Sequence, residues 1–266
     1  MLSVLTLNVQ AAALPRARRL LAWLDARDDN LIILTETSNG PGTAYLLEQC
    51  RAAGLDVTHT PSPDGDRGCA IVSRLPTTAR PDLLAGVTLP GRAVAVTVNT
   101  ESAITVLGLY VPSSDRAPAK VAKKRAFLTS VIDGLRGLTE GQRAHLIVGG
   151  DYNVISRNHR PRYPGFLSFE YEFLDALEQL DLADAHQRLH PTTQAHSWIG
   201  RGGNGYRFDY LHTGAALTPH LASCDYLHQP RDRQLSDHAA VAATLRLTVD
   251  HRTAVSAPLA EAAALS

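Results

Sequence analysis

The sequence predicts an α/β (α+β) chain in which two mainly antiparallel sheets pack face to face with helices outside. Three observations predict it. Apolar, strand-like runs come in groups with only turn residues between them. Amphipathic, helix-like segments fall between the groups. No fixed-period repeat and no Gly/Ser- or Pro-rich linker divides the 266 residues. Strands that follow one another without a helix pair as antiparallel neighbours, and each sheet must bury a face against another layer. The expected organisation is one domain over residues 1–250 and an Ala-rich tail over 251–266.

Leu2 to Val9 alternates and predicts a strand that begins at once, and Pro15 to Asp28 follows as an amphipathic helix with Leu14, Ala17, Leu21 and Leu24 at helical spacing. Leu31 to Thr35 is a short apolar strand ending on Glu36, and Thr43 to Ala53 is a helix closed by Gly54. Gly68 to Arg74, Arg92 to Asn99 and Ala103 to Val111 are successive strands with no helix between them. Val121 to Leu135 is a helix with Val121, Leu128, Val131, Ile132 and Leu135 inward, and His145 to Val148 is a buried strand running into Gly149-Gly150-Asp151. A helix starts at Ser168 with Phe169, Phe173, Leu174, Leu177 and Leu180 inward; strands return at Tyr206 to His212, Ser223 to Leu227 and Ala239 to Val249.

Composition removes several function classes. Hydrophobic residues at 44% and charged residues at 20% are ordinary globular usage, which excludes disordered and collagen-like chains. The apolar runs fall far short of the roughly 18 residues of a membrane span. Lys+Arg and Asp+Glu are 26 each, so a binder living on bulk positive charge is excluded while a local basic patch is not. Cys50, Cys69 and Cys224 form neither a disulfide framework nor a zinc spacing, which fits a reducing compartment. The opening MLSVLTLNVQ lacks a basic n-region and a small-residue cleavage site, so the expected location is cytoplasmic.

Polar residues recur where apolar strands end: Asn8, Glu36, Tyr110, Asp151 with Asn153, Asp209, and Asp237 with His238. A single acid at a strand end is usually a turn or cap residue. Repetition at the ends of several strands suggests convergence on one rim. Such a cluster, without a Cys partner, is oxygen-rich and suits Mg²⁺ or Mn²⁺.

The motifs at these strand ends are TLNV at 6–9, LTET at 34–37, GCAIVSRLP at 68–76, GLYVP at 108–112, GGDYNV at 149–154, SWIG at 197–200, YRFDYLHT at 206–213 and LSDHAAV at 235–241. In this order and over nearly the whole chain, they resemble the endonuclease/exonuclease/phosphatase superfamily, and within it the exonuclease III and apurinic-endonuclease branch. The resemblance implies a four-layered α/β sandwich and metal-dependent phosphoester hydrolysis. Carried over motif by motif, it implies that Glu36 binds the metal and that Asp151 orients or deprotonates the attacking water. Asn153 and Asn8 steady Asp151, the phosphate or the metal's water, and Tyr110 donates to the phosphate. Asp209 orients His238, His238 contacts the phosphate oxygen that becomes charged, and Asp237 is a metal or supporting carboxylate. The chemistry independently calls for these types: a cation offsets phosphate charge, a carboxylate base activates water, and an Asp–His pair favours the imidazolium.

Two departures from the family pattern stand out. Gln10 occupies a position where family nucleases often carry a carboxylate, which leaves a second metal site open to question. Ser113 follows Pro112 where several nucleases of the branch have Asn, so it either replaces that phosphate contact or the contact is absent.

Substrate signals are local. Lys120, Lys123, Lys124 and Arg125 start one helix and are expected to form a solvated face. Arg157, His159, Arg160 and Arg162 leave directly from the Asp151–Asn153 rim, where arginine forks suit phosphate. Trp198 either packs against an extrahelical sugar or is core, and the loop from Gly200 to Gly205 either approaches a backbone or is a hairpin turn. The leading expectation is a Mg²⁺-dependent DNA nuclease acting at abasic sites or from 3′ ends. The alternative is a metal-dependent phosphatase or phosphodiesterase on a small-molecule or lipid headgroup phosphate.

Overall fold

A computed structural model describes residues 1–99 and 103–249, so the expected tail over 251–266 lies outside the described residues. The chain opens with β1 (Leu2–Asn8), α1 (Leu14–Asp25), β2 (Leu31–Thr37), α2 (Pro41–Ala52), β3 (Asp56–His59) and β4 (Gly68–Ser73). Then come β5 (Thr77–Ala79), β6 (Ala93–Val98), β7 (Ile104–Tyr110), α3 (Pro118–Gly137), α4 (Glu140–Ala144) and β8 (Leu146–Asp151). α5 (Ser168–Gln179), β9 (Ala183–Asp184), α6 (Ala185–Leu189), β10 (Trp198–Ile199) and β11 (Gly205–Tyr206) follow. The last elements are β12 (Asp209–Thr213), β13 (Leu221–Leu227), α7 (Gln229–Asp232) and β14 (Ala240–Leu245).

Local chemistry sets the boundaries. α1 has proline in its first turn, where a missing N–H costs nothing. It ends three residues before the expected Asp28, because Asn30 is drawn back to β1: its Oδ1 accepts from the Ser3 N–H at 2.8 Å. The expected strand from Tyr206 to His212 is broken in two. Ser197 Oγ takes the N–H groups of both Phe208 (2.9 Å) and Asp209 (3.1 Å), so the chain leaves the β10–β11 hairpin and enters a sheet only at Asp209. The glycine loop closes that hairpin, with Gly200 N donating to Asn204 O at 2.8 Å.

One sheet runs β13-β14-β1-β2-β4-β3 and the other β5-β6-β7-β8-β12-β9. In each, the central pair is parallel (β1 with β2, β7 with β8) and the remaining pairs are antiparallel. Helices provide the parallel crossovers, α1 for the first pair and α3 with α4 for the second. Three apolar layers hold the stack. Val4, Ile33, Ile71, Val106, Ile147 and Val241 fill the space between the sheets. Leu20, Leu24, Leu46, Leu47 and Cys50 seal α1 and α2 onto the first sheet. Phe127, Val131, Leu135, Phe173 and Leu177 seal α3 and α5 onto the second. The result is the expected four-layered α/β sandwich, whose central strands end together at one edge. Gly150 is required there: its φ is +139° and a Cβ would lie 1.9 Å from Leu109 O.

Candidate active site

The central parallel pairs of the two sheets end against each other. Asn8 ends β1 and is fully buried, and its amide Nδ2 donates to Glu36 Oε2 at 3.1 Å and to Asp151 Oδ2 at 2.9 Å. The amide's orientation is fixed, because its Oδ1 accepts from the Gln10 N–H at 2.7 Å. Gln10 and Ala11 both carry positive φ, 50° and 44°, to make that return possible. Asp151 also accepts from Asn153, at 2.9 Å from the backbone N–H and 3.3 Å from Nδ2. Asn153 (φ 49°) and Glu36 (φ 56°) are themselves left-handed, the second at a bulge where β2 slips against β4. Such conformations are costly for residues with side chains and concentrate at functional sites.

Asp209 begins β12 directly opposite Asp151 in the β8 register. Its Oδ2 lies 2.7 Å from His238 Nδ1, and both residues are buried. His238 is anchored from behind: its N–H donates to Ser236 Oγ at 3.0 Å, and that hydroxyl donates to Asn8 O at 2.5 Å. One oxygen each of Asp151 and Asp209 and one ring nitrogen of His238 lie within 4.8 Å of one another. Burial raises the Asp151 carboxyl to about 7, and the Asp209 charge pushes the same way against the pull of His238 and the amide donors. For His238, burial works against the charge; Asp209, by charge and hydrogen bond, outweighs it with help from Asp151 and Asp237, and the ring is raised to about 10. The site therefore pairs a carboxylate that titrates near neutrality with a cationic imidazole.

Tyr110 ends β7, and burial, then the charges of Glu36 and Asp151, push its phenol well above its ordinary value. It keeps its proton and is a donor. Arg92 lies 4.6 Å from the ring centroid and is itself held by Asp66, which also takes Lys123 Nζ at 2.8 Å. Sequence reasoning missed Arg92, Asp66 and Ser197 as supports of the site, and the bond from Ser236 to Asn8 O, because these partners are remote in sequence.

The remaining candidates are spread around this centre. Asp237 Oδ2 accepts from Trp198 Nε1 at 3.0 Å, and the ring of Trp198 packs with Tyr206 and Phe208 at centroid distances of 5.6 and 5.8 Å beside His238. Trp198 thus forms one end of an aromatic shelf at the site's edge. Arg157 is folded onto Asp175 at 2.8 Å, and Arg160 donates to the carbonyls of Asn158 and His159. Arg162 and Ser113 are exposed. Arg162 lines a cleft of about 520 Å³ with His159, Tyr163 and Tyr171. The expectation of a solvated lysine face fails at Lys124, which is 1% exposed and paired with Glu170. Glu170 opens α5 and turns inward, so the lysine has a buried partner that helix periodicity does not reveal. Beneath Asp209, a second missed group supports the motif strand: Arg207 forms two hydrogen bonds of 2.6 Å with Asp184 and donates to Tyr226 Oη, which donates to Asp209 O at 2.7 Å.

The model for the Endonuclease/Exonuclease/phosphatase family matches residues 5–250. No curated protein sequence matches the chain. Among solved structures, the fold is similar to a 3′ phosphatase, NExo, from Neisseria bound to product DNA hairpin, with TM-score 0.77 and 19% identity over 93% of this chain and 100% of that one. It is similar to an AP endonuclease from Archaeoglobus fulgidus at TM-score 0.76 and 19% identity, over 93% of this chain and 100% of the other. A 3′-5′ exonuclease from Neisseria meningitidis gives 0.75 and 20%, over 92% and 100%.

Proposed function

The chain belongs to the endonuclease/exonuclease/phosphatase family, a family of phosphoester hydrolases, and we propose that it is a Mg²⁺- or Mn²⁺-dependent phosphodiester hydrolase acting on DNA, at abasic sites or from 3′ ends. The observation that carries this reading is Asp151, buried, raised to about 7, and held by Asn8 and Asn153 beside the Asp209–His238 pair.

In the deprotonated form, Asp151 takes a proton from water, and its amide donors fix the plane in which it does so. General base help of this kind is worth about 10²–10⁴ in rate. His238, kept charged by Asp209, donates to the phosphoryl oxygen that gains charge, and Tyr110 donates beside it. The donor chemistry fits a hard divalent cation. Glu36 stands at the rim with its side chain 24% exposed. Asp209 Oδ1 and Asp237 Oδ1 are buried with no hydrogen-bond partner among the described residues. The cysteines are buried in the packing layers. Glu36 would hold the ion, with Asp237 in support, and when bound it supplies charge stabilisation to the phosphoryl group. Gln10 is exposed and neutral, which favours one ion over two.

The aromatic shelf around Trp198 and the exposed Arg162 support a nucleic-acid strand, and one protein of similar fold was solved with a product DNA hairpin. A small phosphorylated substrate is the second reading, favoured by the internal engagement of Arg157 and Arg160. Rates on abasic-site duplex, 3′-phosphorylated duplex, a sugar phosphate and bis(4-nitrophenyl) phosphate, each with Mg²⁺, Mn²⁺ or EDTA, separate the readings. The expected result is metal-dependent turnover with DNA preferred. Full activity in EDTA contradicts the metal, and preference for the sugar phosphate transfers the substrate to the second reading.

A further inference from the structure

The segment between β8 and α5 carries Arg157, Arg160 and Arg162, and one buried ion pair holds both of its ends. Lys124 reaches in from α3, where its Nζ donates to Asn153 O at 2.7 Å and to Glu170 Oε1. Glu170 Oε2 in turn accepts from the Leu167 N–H at 2.7 Å. Asn153 is the second residue past β8 and Leu167 the last before α5, so Asn153 O, Lys124, Glu170 and Leu167 N form a closed clasp around the loop.

The residue at the clasp's first contact most needs a hold. Asn153 sits at φ 49°, and from that conformation its N–H and Nδ2 both reach Asp151 while Nδ2 also reaches Val111 O at 3.0 Å. A buried ion pair is weak evidence for stability, since apolar residues of the same volume often serve as well. The donor to Asn153 O is different, because no apolar side chain replaces it.

We propose that Lys124 and Glu170 are positioning residues that lock the Asn153 peptide, and through it the carboxylate of Asp151, in register with the arginine-bearing loop. The proposal rests on the hydrolase reading for its kinetic consequence and on geometry alone for its structural one. Neither residue touches the reacting atoms. Loss of the clasp should free the loop at both ends and let Asn153 relax out of the left-handed region.

The test is the double variant Lys124→Met/Glu170→Gln, which removes both charges together and leaves no lone buried ion. Two readouts are taken: hydrogen exchange across residues 151–169, and steady-state turnover of bis(4-nitrophenyl) phosphate with Mg²⁺. Exchange should quicken at 151–155 and 164–169 and stay unchanged in β7 and at 236–241. The kcat should fall about tenfold or more, while KM for this small substrate changes less than about twofold, because orientation rather than binding is lost. Glu170→Gln alone leaves Lys124 on the Asn153 carbonyl and should loosen chiefly 164–169, with a smaller kcat loss. Unchanged exchange at the loop ends, full kcat in a folded double variant, or an equal kcat loss in Glu170→Gln overturns the proposal. If the wild-type chain turns over neither this probe nor abasic-site DNA, the hydrolase reading fails, and the exchange result alone decides the clasp.

Discussion

The two sheets repeat one pattern of pairings, and the parallel pair at the centre of each ends in the site. β1 and β2 deliver Asn8 and Glu36; β7 and β8 deliver Tyr110 and Asp151. The difference between the pairs is depth. The Glu36 side chain is 24% exposed, with Arg67 at 3.9 Å, whereas Asp151 is 1% exposed and raised to about 7. One carboxylate stays in contact with water and is suited to exchange solvent for a cation. The other is desolvated until its proton affinity reaches the neutral range. The same strand topology thus yields two carboxylates of different depth, which the proposed mechanism puts to opposite tasks.

Damage to the buried half should cost most. Asp209→Asn and His238→Ala should each lower kcat by about 10²–10⁴, and the double variant should be little worse than the worse single, because the two act as one unit. Additive losses in single-turnover assays would show that they act separately.

The depth difference should next appear in the pH profile. The proposed mechanism requires Asp151 unprotonated and His238 protonated, so kcat should climb through about pH 7 and fall near 10. Removing the Asp209 charge should move the acid limb downward. Both folded values lie above the unfolded ones of about 4 and 6.5, so stability contributed by these protons is present below those values. It falls as pH rises through about 7 for Asp151 and about 10 for His238. Urea midpoints against pH measure this directly; a profile flat from pH 5 to 8 with an acid limb near 4 would remove the distinction between the carboxylates.

The smallest expected effect lies at the outer loop. Arg162→Ala should reduce the salt slope of DNA binding by about one unit with little change in small-substrate turnover. Arg157→Ala should do less, since its guanidinium is already on Asp175. Equal losses on both substrates would mark the loop as structural.

The fold class was legible from apolar periodicity, and most of the central residues because they lie at the end of a buried strand, where that periodicity stops on a polar side chain. Asn8, Glu36, Tyr110 and Asp151 announce themselves in that way, whereas Asp209 opens β12 and His238 precedes β14, and both were legible through the motifs YRFDYLHT and LSDHAAV. The supports were not, because their partners lie far away in sequence. Lys124 reads as one more helix-face lysine until Glu170, 46 residues on, is folded against it. Ser197 splits the strand expected from Tyr206 to His212 through a hydroxyl that carries no periodic signal. The short helix α4 was not anticipated, although Thr139 and Gln142 form a capping box whose spacing is present in the sequence.

The division of labour between Asp151 and Glu36 is tested most directly by a Mg²⁺ titration of single-turnover cleavage in Asp151→Asn and Glu36→Gln beside the wild-type chain. Asp151→Asn should require the same Mg²⁺ concentration for half-maximal rate and reach a plateau about 10²–10⁴ lower. Glu36→Gln should shift the titration to about tenfold or more higher Mg²⁺ and recover much of the rate at saturation. The reverse result, a shifted midpoint for Asp151→Asn and a lowered plateau with unchanged midpoint for Glu36→Gln, would contradict it.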